Sequence, residues 1–221
     1  MKSILVIGMG TLGVHLATKM QELGNDVMIV DIDEERIQEL SPNFNNSFVG
    51  DCTNEGVLRS LGVNNFDYCF VAIGESSYAS LEITSLLKEL GAQYVISKAS
   101  RTRHAEFLKK IGADEVFFPE REIAEKLAVR YSAKNVFDYI ELSSEYSIYE
   151  IPVLREWIGK SIKELNVRNR YNINIIAIKK NDVLFPVANV EHVFVSGEHI
   201  VVIGKSSEVF KLSAKTEDAH K

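Results

Sequence analysis

A chain of 221 residues, 46% of them hydrophobic and 25% charged, holds enough apolar material for one large core or two smaller ones. Its net charge of −6, with no Lys/Arg block and no basic stripe interleaved with aromatics, argues against nucleic acid as a partner. No apolar run approaches the roughly eighteen residues of a membrane span and no signal-peptide layout opens the chain, while Cys52 and Cys69 form no Cys-x-x-Cys; the expectation is a cytoplasmic protein with reduced thiols and no zinc site.

Ile4-Leu5-Val6-Ile7 runs directly into Gly8-Met9-Gly10-Thr11-Leu12-Gly13. Leu12, Leu16, Met20 and Leu23 then recur at helical spacing, and Gly24 supplies a stop. In a strand, turn and helix of this kind the first glycine permits the tight turn, the second lets a phosphate approach bare backbone, and the third lets the helix pack close to the strand. The amides and positive dipole end of that helix form an anion site. Glycines also collect wherever a turn needs positive φ, so the next element decides. Residues 27–30 read as a second buried strand ending in Asp31, close to where a Rossmann unit places the carboxylate that holds a ribose. Asp33, followed by Glu34 and Glu35, takes the role of helix cap. A carboxylate at position 31 repels a ribose 2′-phosphate, which favours NAD or adenosine nucleotides over NADP.

The alternation continues. Residues 48–50 form a short strand leading to Asp51-Cys52-Thr53, where Thr53 caps a helix carrying Val57, Leu58 and Leu61. Residues 68–73 form a strand ending at Gly74, and a helix with Leu81, Ile83, Leu86, Leu87 and Leu90 closes at Gly91. A strand at 94–96, a helix with Phe107, Leu108 and Ile111, and a strand at 116–118 follow. Six strands separated by helices specify an α/β domain at 1–118, a Rossmann-like doubly wound parallel sheet. A connecting helix is expected at 119–135, with Ile123, Ala124 and Leu127 on one face. A small α+β C-terminal subdomain is expected at 136–215, with strands at 139–142, 147–153, 173–178, 183–187 and 200–203 and helices at 158–165 and 207–212. The polar tail at 216–221 is expected to be disordered.

Ligands of a doubly wound sheet lie outside the carboxyl ends of its strands, which picks out Asp31 with Ile32, then Asp51, Cys52 and Thr53, then Ile73, Gly74 and Glu75, then Lys98 and Glu120. Thr53 also fits a pure capping role, Ile73 a core position and Lys98 a solvated charge. No catalytic constellation accompanies the site. Tyr94 and Lys98 have the Tyr-x-x-x-Lys spacing of short-chain dehydrogenases, but along a strand they stand about 13 Å apart. Residues 74–78 lack the second glycine of a nucleophile elbow. His15, His104, His192, His199 and His220 form no helical pair or ligand triplet; His104, beside Arg101 and Arg103 near the sheet's ligand edge, is the one to watch, with a solvated polar face as the favoured reading. A nucleotide site without visible chemistry points to a sensor.

Val6-Ile7-Gly8-Met9-Gly10-Thr11-Leu12-Gly13, Val30-Asp31-Ile32-Asp33-Glu34-Glu35, Gly50-Asp51-Cys52-Thr53, Val71-Ala72-Ile73-Gly74, Lys110-Ile111-Gly112-Ala113-Asp114 and Pro119-Glu120 occur in an order and spacing that resembles the regulator-of-potassium-conductance (RCK) family, Ktr and Trk type. The resemblance extends over nearly the whole chain. It implies a non-enzymatic cytoplasmic subunit, peripheral at the inner face of the membrane, whose homodimers form an octameric ring beneath an integral-membrane potassium-translocating subunit. It implies that ATP or ADP, or in some members NAD(H), occupies the Rossmann cleft and gates potassium flow. By position, Gly8, Met9, Gly10, Thr11, Leu12 and Gly13 would hold phosphates, Asp31 the ribose, and Asp51 to Thr53 and Ile73 to Glu75 the adenosine side. Glu120 would hold a divalent cation at the dimer interface. Thr11 stands where Ktr-type members usually carry arginine, which leaves NAD(H), AMP or ADP open as the ligand beside ATP. In the C-terminal subdomain Ile162, Asn166, Arg168, Asn174, Ile175 and Pro186 resemble positions that bind cyclic di-AMP between paired copies. Arg168 would supply a planar cation for phosphate, Asn174 a purine-edge partner, and Ile162, Ile175 and Pro186 an apolar slot. Asn166 replaces the usual aspartate and Lys163 a usual apolar residue. The competing reading is a small NAD-dependent oxidoreductase whose active site is not recognisable.

Overall fold

A computed structural model describes residues 1–132, 137–143, 145–186 and 189–214. The expected tail at 216–221 and Val187 of the expected strand 183–187 lie outside the described residues. The chain divides into two compact units, Met1–Glu122 and Ile123–Lys221.

In the first unit β1 (Ser3–Ile7), α1 (Thr11–Glu22), β2 (Asp26–Asp31), α2 (Glu34–Leu40), β3 (Asn46–Val49), α3 (Glu55–Leu61), β4 (Tyr68–Val71), α4 (Ser77–Glu89), β5 (Val95–Lys98), α5 (Thr102–Lys110) and β6 (Glu115–Phe117) follow one another. The strands align as β3-β2-β1-β4-β5-β6, and every pairing is parallel. This is the expected doubly wound sheet. Parallel strands need crossover helices, and these helices cover both faces, so successive strand residues feed two cores. Leu5, Ile7, Cys69 and Val71 meet Leu58 of α3 and Ile83 and Leu87 of α4 on one side. Ile4, Val6 and Phe70 meet Ala17 of α1 and Ile37 of α2 on the other. Chain order reverses between β1 and β4, which opens a crevice at their carboxyl ends.

Two local expectations are corrected. Helix α1 buries the small residues Gly13 and Ala17, while Leu23 is 68% exposed. A Cβ at Gly13 would lie 1.9 Å from the Gly8 carbonyl oxygen, so no side chain fits there; Leu16 and Met20 pack partly buried against the core as expected, and Leu23 lies one residue past the helix end. Helix α3 begins at Glu55, so Asn54 is its cap and its side chain accepts from Gly56 N, while the Thr53 hydroxyl donates to Asp51 Oδ1 at 2.7 Å.

A further helix, α6 (Pro119–Ser132), leads to the second unit, where β7 (Asp138–Glu141), β8 (Tyr146–Pro152), β9 (Ile173–Lys180), β10 (Val183–Pro186) and β11 (His199–Lys205) form an antiparallel sheet ordered β10-β9-β11-β8-β7. Trp157, Phe194, Tyr149, Ile151, Ile200 and Val202 are central to its core, closed by Val209 and Leu212 of α9 (Ser206–Ala214). The helix expected at 158–165 is broken. Ile158 is extended and Gly159 has φ +80°, so α7 spans only Ile162–Leu165, started by a Ser161/Glu164 capping box. A short helix α8 (Val167–Tyr171) went unforeseen because its punctuation is Asn166 and Asn172, at φ +47° and +53°, in place of glycine.

Candidate functional site

The crevice at the carboxyl ends of β1, β2, β3 and β4 is a cleft of ≈ 340 Å³. Gly8 and Gly10 line it from the first turn. Gly8 adopts φ +96°, and a Cβ there would meet Ile73 at 3.0 Å and the Ala72 carbonyl carbon at 3.3 Å, so the loop crosses the end of β4 nearly in contact. Gly10, the N-cap of α1, has nothing within 4 Å of the Cβ it lacks. It gives no side-chain cap, and the first turn of α1 carries no acid. The helix therefore presents its positive end with backbone exposed, an arrangement suited to an anion.

Asp31 lines the cleft and is 8% exposed. Its Oδ2 accepts Met9 N at 2.5 Å, its Oδ1 accepts Asp33 N at 2.9 Å, and an Arg36 nitrogen stands 3.6 Å away. The carboxylate thus ties the glycine turn to the end of β2. Met9 consequently departs from its expected role: its amide is taken by Asp31, its side chain is buried in the core, and it does not line the cleft. Thr11, Leu12 and Gly13 lie in the first turn of α1 behind the lining residues. Sequence reasoning missed Arg36, which lines the cleft between Asp31 and Asp33, 3.6 and 3.7 Å from them. Its signal was its place one turn into α2 from its cap Asp33.

From β3, Asp51, Cys52 and Thr53 reach the cleft as a turn in which Asp51 Oδ1 accepts both Thr53 N and Thr53 Oγ1. Burial first, then Asp51 and Asp31, push the Cys52 thiol up to about 12, so it stays protonated and is a wall, with no nucleophilic role. From β4, Ile73, Gly74 and Glu75 line the opposite side with Ser76, a residue not foreseen, and Ile32 completes the wall beside Asp31.

Lys98 and Glu120 stand outside this lining. Lys98 Nζ lies 3.4 Å from where a Gly74 Cβ would be, is 14% exposed, and pairs with Glu120 at 2.7 Å. It is therefore no solvated charge. The Lys98 hydrogen bond, the largest influence, holds the Glu120 carboxyl below the usual range. Among the described residues no group of three or more His, Cys, Asp or Glu could hold a metal ion. His104, read as a solvated polar residue, is only 3% exposed, because α5 turns that position inward beside Leu108.

In the second unit Ile162 and Ile175 pack against the Trp157 core, Asn166 and Arg168 are exposed on α7 and α8, Asn174 is exposed on β9, and Pro186 ends β10. A cavity of ≈ 360 Å³ beside Pro186 is walled by Ile178, Lys180, Phe185, Asn189, His192 and Glu198 and by none of the other five.

Residues 4–119 match the TrkA-N domain and residues 147–215 the TrkA-C domain. The chain belongs to the TrkA-N/TrkA-C family. Within that family it is 38% identical over 216 residues to Ktr system potassium uptake protein C of Bacillus subtilis (strain 168), covering 97% of each chain. It is 36% identical over 208 residues to Ktr system potassium uptake protein A of the same organism, covering 94% of each. Among solved structures the GsuK channel bound to NAD shares the fold, with a TM-score of 0.64 and 22% identity over 98% of this chain and 39% of that one. The expected family and fold class are borne out. No helix among the described residues of this TrkA-N/TrkA-C protein is long and apolar enough to cross a membrane.

Proposed function

We propose that this protein is the cytoplasmic, non-enzymatic nucleotide-sensing subunit that gates a separate membrane potassium transporter. The reading is carried by one observation: an acid-free, uncapped glycine turn facing a buried ribose-type carboxylate, Asp31, at the switch point of a doubly wound sheet in a chain related over 97% of its length to a Ktr potassium uptake protein. The amides of Gly10, Thr11, Leu12 and Gly13 take the phosphates and Asp31 the ribose. Asp51, Cys52, Thr53, Ile73, Gly74 and Glu75 enclose the adenosine. Arg36 neutralises Asp31 and Asp33 beside the ribose. The adenine nucleotide is ATP or ADP, or NAD(H) or AMP given Thr11. Glu120 exchanges Lys98 for a divalent cation when paired chains bring further ligands, and homodimers build the octameric ring. The second unit binds cyclic di-AMP between copies through Ile162, Asn166, Arg168, Asn174, Ile175 and Pro186.

Calorimetric titration of the full chain with ATP, ADP, AMP, NAD and NADH tests the first site. Asp31→Asn is expected to weaken the tightest ligand about ten- to a hundredfold, the loss of a hydrogen bond to a charged acceptor. Unchanged affinity for all five, or steady consumption of NADH with a metabolite panel, defeats the reading. Arg168→Ala is expected to abolish cyclic di-AMP binding and leave nucleotide binding intact. Light scattering that finds a monomer at micromolar concentration removes the ring.

A further inference from the structure

A second cavity of the first unit, ≈ 450 Å³, shares no lining residue with the nucleotide cleft. Its walls are Ser77, Tyr78 and Leu81 from α4 and Arg101, Arg103, His104 and Phe107 from the start of α5. The chemistry gathered there runs against local helix rules. The N-terminal turn of a helix favours acids and a side-chain acceptor at the cap. Helix α5, nine residues long, has no acid in its first turn, and its N-cap Arg101 makes no side-chain cap hydrogen bond. Two guanidiniums, Arg101 and Arg103, sit instead at the positive end of the dipole. Among the described residues neither pairs with a carboxylate, although the protein carries a net charge of −6, and Arg103 lies over the Phe107 ring at 5.6 Å.

His104 adds an independent observation. The Ser100 backbone N–H donates to its Nδ1 at 3.3 Å, so Nδ1 is the acceptor and the neutral ring carries its proton on Nε2. Burial, and after it the Arg101 guanidinium, hold the ring below the ordinary histidine pKa, which keeps it in that neutral form at pH 7. Nε2 is buried and has no hydrogen-bond partner. Buried donors without acceptors are rare, and residues that break local rules concentrate where a ligand compensates them. No carboxylate lines this cavity: it holds two guanidiniums and one imidazole N–H, beside the Tyr78 hydroxyl, the Ser77 hydroxyl paired with Ser100 at 3.3 Å, and the acid-free first turn of α5. The missing element is an anion with several acceptor oxygens.

We propose that this cavity binds a phosphoryl oxyanion, separately from the nucleotide cleft. The source is free inorganic phosphate or the phosphate of a small phosphorylated molecule; Tyr78 and Phe107, 74% and 41% exposed, stand at the site for the second case.

The test is calorimetry of the full chain with inorganic phosphate and, separately, ribose 5-phosphate, with sodium chloride at matched ionic strength as control. The variants are Arg101→Gln with Arg103→Gln, both at exposed positions, and Asp31→Asn in the cleft. The expected result is saturable phosphate binding that the double arginine variant weakens by about tenfold or more while its nucleotide binding stays intact. Asp31→Asn is expected to leave phosphate binding unchanged, which keeps failure of this site distinguishable from failure of the cleft. His104→Gln, which preserves a donor, is expected to bind better than His104→Leu. Tighter binding of ribose 5-phosphate that the double arginine variant weakens and Asp31→Asn does not assigns the source to a phosphorylated molecule, and equal binding assigns it to free phosphate. Absence of saturable binding, equal heats with chloride, or no effect of the double arginine variant overturns the proposal. So does self-association that the double variant weakens without any phosphate binding, since a carboxylate of a second copy is then the occupant.

Discussion

Strand β1 of the first unit buries four of its five residues, whereas β10 of the second buries none of its four. Between these extremes β4 and β5 are buried over most of their length, and β8 and β11 alternate with a period of two. Place in the sheet and pairing direction both set the difference: β10 is an edge strand, and the edge strands β3 and β6 of the parallel sheet bury no residue either. Parallel strands must be joined by crossover helices that cover both faces, while antiparallel strands joined by short turns leave one face open. The open sheet leaves apolar side chains at the surface, such as Ile176, Leu184 and Phe185 at 41%, 55% and 53% exposure. Unit one therefore encloses a crevice within the chain, and unit two leaves apolar side chains on its open sheet.

The sharpest way to break this comparison is to remove one core at a time. Trp157, 0% exposed and packed against Tyr171 and Phe194, is expected to cost about 3–5 kcal/mol on Trp157→Ala. Only the thermal transition of the second unit should move, with nucleotide titration unchanged. Leu87→Ala, between the sheet and α4, is expected to cost about 2–5 kcal/mol and to lower the first unit's transition alone. If scanning calorimetry shows both variants shifting one common transition, the two units do not unfold independently.

A smaller effect separates the units by pH. Burial pushes the Asp114 carboxyl up, but hydrogen bonds from Lys88 at 2.8 Å and Val95 N at 2.7 Å outweigh it and leave the pKa below the usual 3.8. A depressed carboxylate stabilises the fold above its unfolded pKa, and that contribution disappears as pH falls through the folded value. At this exposed position, where solvent screens the pair, Asp114→Ala is expected to cost about 1 kcal/mol at pH 7 and less near pH 2, read from denaturant melts of the first unit. A pH-independent cost points to lost packing instead.

Ser161→Ala, which removes the capping box of α7, is expected to cost about 0.5–2 kcal/mol, confined to the second unit. The smallest effect is a lack of reaction. Burial raises both Cys52 and Cys69 to about 12, so neither is expected to react with Ellman's reagent at pH 8 in the native protein, although both should in denaturant. Rapid labelling of Cys52 would show a cleft more open than its 3% exposure indicates.

Much of the first unit could be read directly from the chain. Its central strands β1 and β4 are nearly continuous apolar runs, the pattern of a sheet covered on both faces. Gly8, Gly10, Gly13 and Asp31 announced the crevice. The second unit was less legible because asparagines at positive φ do the work of glycine and its one-sided strands are short, so α8 was missed and a helix was extended across Gly159. Leu23 misled for a simpler reason: α1 ends at Glu22, so the helical face that Leu16 and Met20 share does not reach it.

The sequence by itself determined the order of the elements, the doubly wound sheet and the position of the glycine turn, because backbone period, glycine spacing and apolar runs are local properties. Only the tertiary structure decided which partner each polar group meets. Asp31 accepts Met9 N across 22 positions, Lys88 reaches Asp114 across 26, Lys98 finds Glu120, and His104 is turned inward with a donor unpaired. Those pairings depend on which strands lie side by side. That arrangement is fixed by burying both faces of the sheet at once, and no local window of sequence contains it.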